Sequence, residues 1–161
     1  MAKNPDPTLT LTTLTGVTRT LDDWTTTFHL VLVILPDDPR ATDWIPVARR
    51  IFSVFGDSDA RVAFVFPSTP AIARRVLDHH AAEQMVFVDP DRTFVEALGL
   101  TSLPAFVHLR QNATVAACAE GWNPTEWQQV AREIGRAMAW STPEVSRPGD
   151  PAPTPGFPAL R

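Results

Sequence analysis

Short apolar runs of strand length alternate along this chain with proline-initiated helix starts, and that alternation leaves few folds open to it. Four times an Asp, Thr or Asn able to accept the orphan amides of a helix start is followed at once by proline, whose fixed φ suits the first helical position: Asp38-Pro39, Thr69-Pro70, Asp89-Pro90 and Asn123-Pro124. The last pair adds Glu126 at capping-box spacing. Between these starts lie the apolar runs 28–35, 61–66, 85–88 and 105–109, patterned as strands buried on both faces. Residues 114–119 follow a polar turn and pattern as a hairpin partner of the preceding strand. Near the start, Leu9 and Leu11, then Val17, Arg19 and Leu21, alternate across Thr15-Gly16 and predict a short hairpin. The expected fold class is α/β, a central mixed sheet with an N-terminal β-hairpin and helices on both faces.

Within that frame Trp44, Val47, Ile51, Val54 and Phe55 recur at helical spacing behind Asp38, with Pro46 expected to kink the helix. Gly99 is placed to end a short helix carrying Phe94, Val95 and Leu98. After Trp140 the chain is dense in proline and small polar residues without periodicity. Residues 140–161 are therefore expected to be a disordered tail, 1–6 a flexible N-terminus, and 7–139 one domain. Of the tryptophans, Trp44 fits a core face; Trp122, Trp127 and Trp140 sit where partial exposure would make a peptide-binding surface, with core packing as the expected role.

Composition removes several function classes. A net charge of −4 without a long Lys/Arg run argues against a nucleic-acid partner. No apolar run reaches the ~18 residues of a membrane span, and the N-terminal stretch lacks the apolar core of a signal peptide, so no membrane insertion and a cytoplasmic location are expected. The one cysteine, Cys118, excludes an internal disulfide and a cysteine-rich zinc site. His29, His79, His80 and His108 form no recognisable metal constellation, and neither metal nor cofactor is expected.

Two segments resemble a known family. Residues 7–24 look like the N-terminal hairpin of peroxiredoxins and TlpA-like thioredoxins, and residues 87–109 look like that family's Asp-Pro-Asp helix, its terminal glycine and the loop with a cis-proline. The resemblance spans roughly residues 7–139 and implies a thioredoxin-like fold, with Pro104 as the cis-proline and Gly121 as the glycine after the last strand. Where the TlpA-like pattern has Cys-Pro-Pro-Cys, this chain has Asp38-Pro39-Arg40-Ala41, with Pro46 at the family's kinking-proline distance. The peroxidatic cysteine is missing as well. Thiol chemistry needs a thiolate at the helix start and a second thiol to resolve the mixed disulfide. Asp38 can cap that helix but cannot attack a disulfide.

What the resemblance then implies is a redox-inactive binding module that holds a protein client in the groove between the Asp38 and Pro104 loops, with Asp38, Trp44, Leu103, Pro104 and Trp122 as groove residues. A shorter similarity, in residues 21–24 and the strand running to Asp38-Pro39-Arg40, is to the HyaE/HupG group of hydrogenase-maturation chaperones, and implies an accessory role in metalloenzyme assembly. The alternative is an enzyme: a residual thiol oxidoreductase or peroxidase through Cys118, or acid–base chemistry at Asp38 with a partner such as His108. Sequence leaves the oligomeric state open.

Overall fold

The computed structural model describes residues 2–160. The hairpin forms as patterned, β1 (Thr10–Thr13) against β2 (Thr18–Thr20), followed by α1 (Leu21–Thr25). The four apolar runs become β3 (His29–Ile34), β4 (Ala60–Phe66), β5 (Met85–Val88) and β7 (Ala105–Leu109). A two-residue strand, β6 (Ser102–Leu103), precedes β7, and β8 (Val115–Glu120) follows it. The seven-stranded sheet has the order β2-β1-β5-β4-β3-β7-β8. β3, β4 and β5 run parallel, and antiparallel pairs close both ends.

Both faces are covered. On one, α2 (Ile45–Phe55), α3 (Pro70–Leu77) and the long α6 (Pro124–Met138) pack Ile51, Phe55, Leu77, Trp127 and Ile134 against Val31, Val33, Phe64 and Phe106. On the other, α1 and α5 (Thr93–Ala97) bring Leu21, Trp24, Phe94 and Val95 against Leu30, Leu32, Ala63 and Phe87. The short α4 (His80–Glu83) links α3 to β5. The alternating strand pattern explains the division: odd and even residues of β3 enter opposite cores.

Three of the four Xaa-Pro pairs cap as expected. Asp38, Thr69 and Asn123 accept from the amides of Arg40, Ile72 and Thr125, respectively. The pair Asp89-Pro90 behaves differently. Its proline lies in a turn, the helix starts at Thr93, and the Asp89 carboxylate reaches forward to the amides of Phe94 and Val95 at 3.2 and 3.1 Å. Pro46 does not kink a helix either. Residues Pro39–Trp44 form a 3₁₀ helix and α2 begins afresh at Ile45, so Pro46 occupies a first-turn position whose missing N–H has no intrahelical partner to lose.

Both ends, expected to be flexible or disordered, carry long-range bonds to the domain in the structure. At the N-terminus the Lys3 amide donates to the Leu98 carbonyl, and Asn4 Oδ1 accepts from the Val115 amide. Beyond α6, Gln128 grips the tail by donating to the Pro143 carbonyl and accepting from the Val145 amide. Val145 is fully buried in the α2/α6 core. Arg50 donates to the Val145 carbonyl through Nε and Nη2 and pairs with Asp150. The tail then crosses Trp122, whose indole donates to the Pro151 carbonyl at 2.7 Å, and ends as β9 (Phe157–Pro158) antiparallel to β6. Prolines removed the donors and the periodicity by which such a segment is recognised, while buried anchors and side-chain donors on the domain supply its order.

Candidate functional site

The 3₁₀ helix and the residues before β7 converge beyond the C-terminal end of β3. Asp38 caps the 3₁₀ helix through a 2.8 Å bond from the Arg40 amide, and its carboxylate lies 3.9 Å from the Arg40 guanidinium. Ala41 and Trp44 are buried, whereas Arg40 points outward with its side chain 67% exposed. Across the groove the Leu103–Pro104 bond is cis, as the family resemblance implies, and both residues are buried. Trp122 completes the wall.

The structure brings the expected groove residues together, but around an occupant. Phe157 of the tail lies between the two walls, with the Arg40 guanidinium 4.7 Å from its ring centroid and the Trp44 ring edge-on at 6.3 Å. Its backbone pairs with Leu103, and Pro158 stands opposite Ser102. A two-way bridge joins Thr154 to Trp122, with both N–H···O distances 2.9 Å. The Ala159 amide donates to the Thr101 carbonyl, while Arg92 donates to the Ala159 carbonyl and stands 3.8 Å from Asp37. Sequence reasoning missed Phe157 and Arg92. An apolar side chain beside a glycine inside a proline-rich stretch, Gly156-Phe157, was the available signal.

Two buried donors next to this segment lack an acceptor among the described residues, the indole Nε1 of Trp44 and Nε of Arg92. Trp122 and Trp127 are fully buried, as the core-packing expectation has it, whereas Trp140 is exposed.

Cys118 is elsewhere. It lies on β8 and packs on the sheet face opposite Ala41 and Trp44, and burial first and the Glu120 carboxylate second push its thiol up to about 12. The acid–base pairing of Asp38 with His108 is also ruled out. His108 lies opposite Val31 in the β3–β7 ladder, toward the start of β3, whereas Asp38 follows that strand's far end. His108 is buried and meets His29 instead.

A separate cleft of about 710 Å³ opens between α2 and the α3–α4 connection, lined in part by Arg49, Arg50, Arg147, His79 and His80. Contrary to the sequence expectation of no metal constellation, His79, His80 and Glu83 offer ligand atoms within 4.8 Å of one another. Burial, then the charges of His79 and Arg49, lower the pKa of His80 from its ordinary value. Both His79 and Glu83 are exposed.

No protein-family model matches the sequence, and no curated protein matches it. The fold has many solved counterparts. A putative thiol:disulfide interchange protein DsbE from Chlorobium tepidum superposes with a TM-score of 0.69 at 19% identity, covering 86% of this chain and 98% of that one. A PrxQ mutant from Xylella fastidiosa gives 0.66 at 13% identity, covering 85% and 96%. A secreted disulfide oxidoreductase of Mycobacterium tuberculosis, homologous to Escherichia coli DsbE, gives 0.60 at 16% identity, covering 80% and 96%. The sheet order, the helices on both faces and these superpositions together establish that the chain has the thioredoxin-like fold found in DsbE-type and PrxQ structures.

Proposed function

We propose that this chain is a thioredoxin-fold binding module that works without thiol chemistry, holding an extended segment of a client protein between the Asp38 turn and the Leu103–Pro104 loop. The observation that carries this reading is the replacement at the helix start. Asp38 makes the capping bond there, Ala41 fills the core one turn on, and the chain's single thiol lies on the other sheet face. A helix terminus that satisfies its own amides with a carboxylate holds its shape without a nucleophile. The groove's aromatic and guanidinium surfaces are the kinds of group that dominate protein recognition. Within this proposal the client is a metalloenzyme under assembly, such as a hydrogenase, and the module acts in the cytoplasm.

The test places a benzophenone photo-crosslinker at position 40 of the full chain and, as a control, at exposed Arg132 on α6. Capture of one client segment from position 40 alone is the expected result, and cell fractionation of the same sample locates the complex. In parallel, insulin-disulfide and peroxide reduction are followed for the wild type and Cys118→Ser. Equal background rates are expected, and a rate lost with Cys118→Ser would replace the binding module with a thiol enzyme.

A further inference from the structure

The groove is filled by the chain's own tail, and the manner of filling specifies what else fits. Residues 154–159 run extended across it, bonded through main-chain groups to Trp122, Thr101 and Arg92 and paired with Ser102 and Leu103. Main-chain pairing of this kind accepts any sequence, so selectivity has to come from side-chain pockets. One ring occupies such a pocket: Phe157, under Arg40 and against Trp44. Around it the tail makes itself thin. Gly156 has a φ of +85°, and a Cβ there would collide with the Leu103 carbonyl oxygen. On the facing wall a Cβ on Gly121 would lie 2.9 Å from the Pro155 carbonyl oxygen and 3.0 Å from that of Thr154. The two backbones cross at a point where neither carries a side chain.

The occupant is also incomplete. The buried donors of Trp44 and Arg92 beside it lack acceptors among the described residues. A segment that supplied those acceptors would bind better than the tail does, because unpaired buried donors count against the tail-bound state.

Resting on the binding-module reading, we infer that residues 151–159 are a resident occupant of the client groove, and that the client enters as an extended segment carrying a small residue followed by an aromatic ring in the places of Gly156 and Phe157. Tethering gives the tail an effective concentration in the millimolar range, so it excludes weak ligands and yields to a segment of matching pattern.

The experiment uses the full chain and a fluorescein-labelled peptide with the sequence of residues 150–160, titrated by anisotropy. Gly156→Val lifts the tail from Leu103 without touching the groove, and Phe157→Ala releases the same tail through a different contact. Both variants are expected to bind the peptide about tenfold or more tightly than the wild type, and a peptide with alanine in place of the phenylalanine is expected to lose about as much. Amide exchange at Thr154 and Ala159 should quicken in both variants, reporting tail release independently of binding. Equal peptide affinity in the wild type and both variants would remove the tail as a competitor, as would protection of Thr154 and Ala159 carried by a tail-exchanged dimer in sedimentation. Should no form bind the peptide, the Gly-Phe pattern is wrong. In each of those cases crosslinking from position 40 still decides the binding-module reading by itself.

Discussion

His29 Nδ1 lies 2.9 Å from His108 Nε2, joining the first residue of β3 to a fully enclosed position in β7. Burial first, then the charges of His29 and Arg110, lower the His108 pKa to about 4 from 6.5. His29 is lowered too, chiefly by burial, with Asp59 opposing and Arg110 adding to the shift. In the unfolded chain His108 takes up its proton near pH 6.5, whereas in the folded chain it stays neutral down to about 4. The unfolded state therefore binds more protons across that window, and stability falls as the pH is lowered through it. The loss should approach about 3 kcal/mol below the window. Urea midpoints at pH 7 and pH 4.5 test this, with His108→Phe expected to show a clearly smaller drop than the wild type.

Asp89 is the sole side-chain acceptor for the buried amides of Phe94 and Val95 among the described bonds. Asp89→Ala should cost about 2 kcal/mol, because two amides at the start of α5 lose their partner while staying out of water. Asp89→Asn, which keeps one acceptor oxygen, should cost less. Chemical denaturation of the two variants gives the ranking, and an Asp89→Ala protein as stable as the wild type would show that α5 does not depend on this cap.

A thiol pushed up to about 12 has very little thiolate at neutral pH. Iodoacetamide at pH 8 should modify Cys118 in the folded chain roughly a thousandfold more slowly than it modifies an ordinary cysteine, each pKa unit being a factor of ten in thiolate. Rapid labelling should return in denaturant. Mass spectrometry of the timed reaction checks both, and fast labelling of the folded protein would reopen the thiol-enzyme reading.

Val145 anchors the tail by burying its side chain between α2 and α6 while Arg50 and Gln128 bind its backbone. Val145→Ala should lower the unfolding free energy measured by urea titration by about 1–2 kcal/mol through lost packing. Gln128→Ala should destabilise the same region without removing apolar contact. Both should raise amide exchange at Val145 before exchange in β3 or β4 changes.

Local signals were legible to the residue in places. The run 85–88 is β5 and the run 105–109 is β7, because apolar residues stand at both ends of each strand, Met85 and Val88 in one and Ala105 and Leu109 in the other. Asp38, Thr69 and Asn123 cap where their neighbouring prolines announce them. The groove residues Asp38, Trp44, Leu103, Pro104 and Trp122 did come together. Features set by distant partners were not legible. Asp89 acts five and six residues downstream rather than at the next turn, and Pro46 is explained by a change of helix type that periodicity does not record. The tail was missed for the same reason. Its anchors Val145 and Phe157 are isolated in sequence, and their order depends on Arg50, Gln128, Trp122 and Leu103, which lie far from them along the chain.

The ends of the sheet bear on how this protein behaves at high concentration. At one end β2 is only Thr18, Arg19 and Thr20, too short and polar to recruit another chain, and at the other Asn4 holds the first amide of β8. Short or charged outer strands and covered amides are how β-proteins resist stacking into aggregates. Strand β6 is paired by β9, which lies on a tail that a second copy could supply. Crowding or mild destabilisation should therefore favour reciprocal tail exchange, giving discrete dimers, over open-ended growth from the sheet margins.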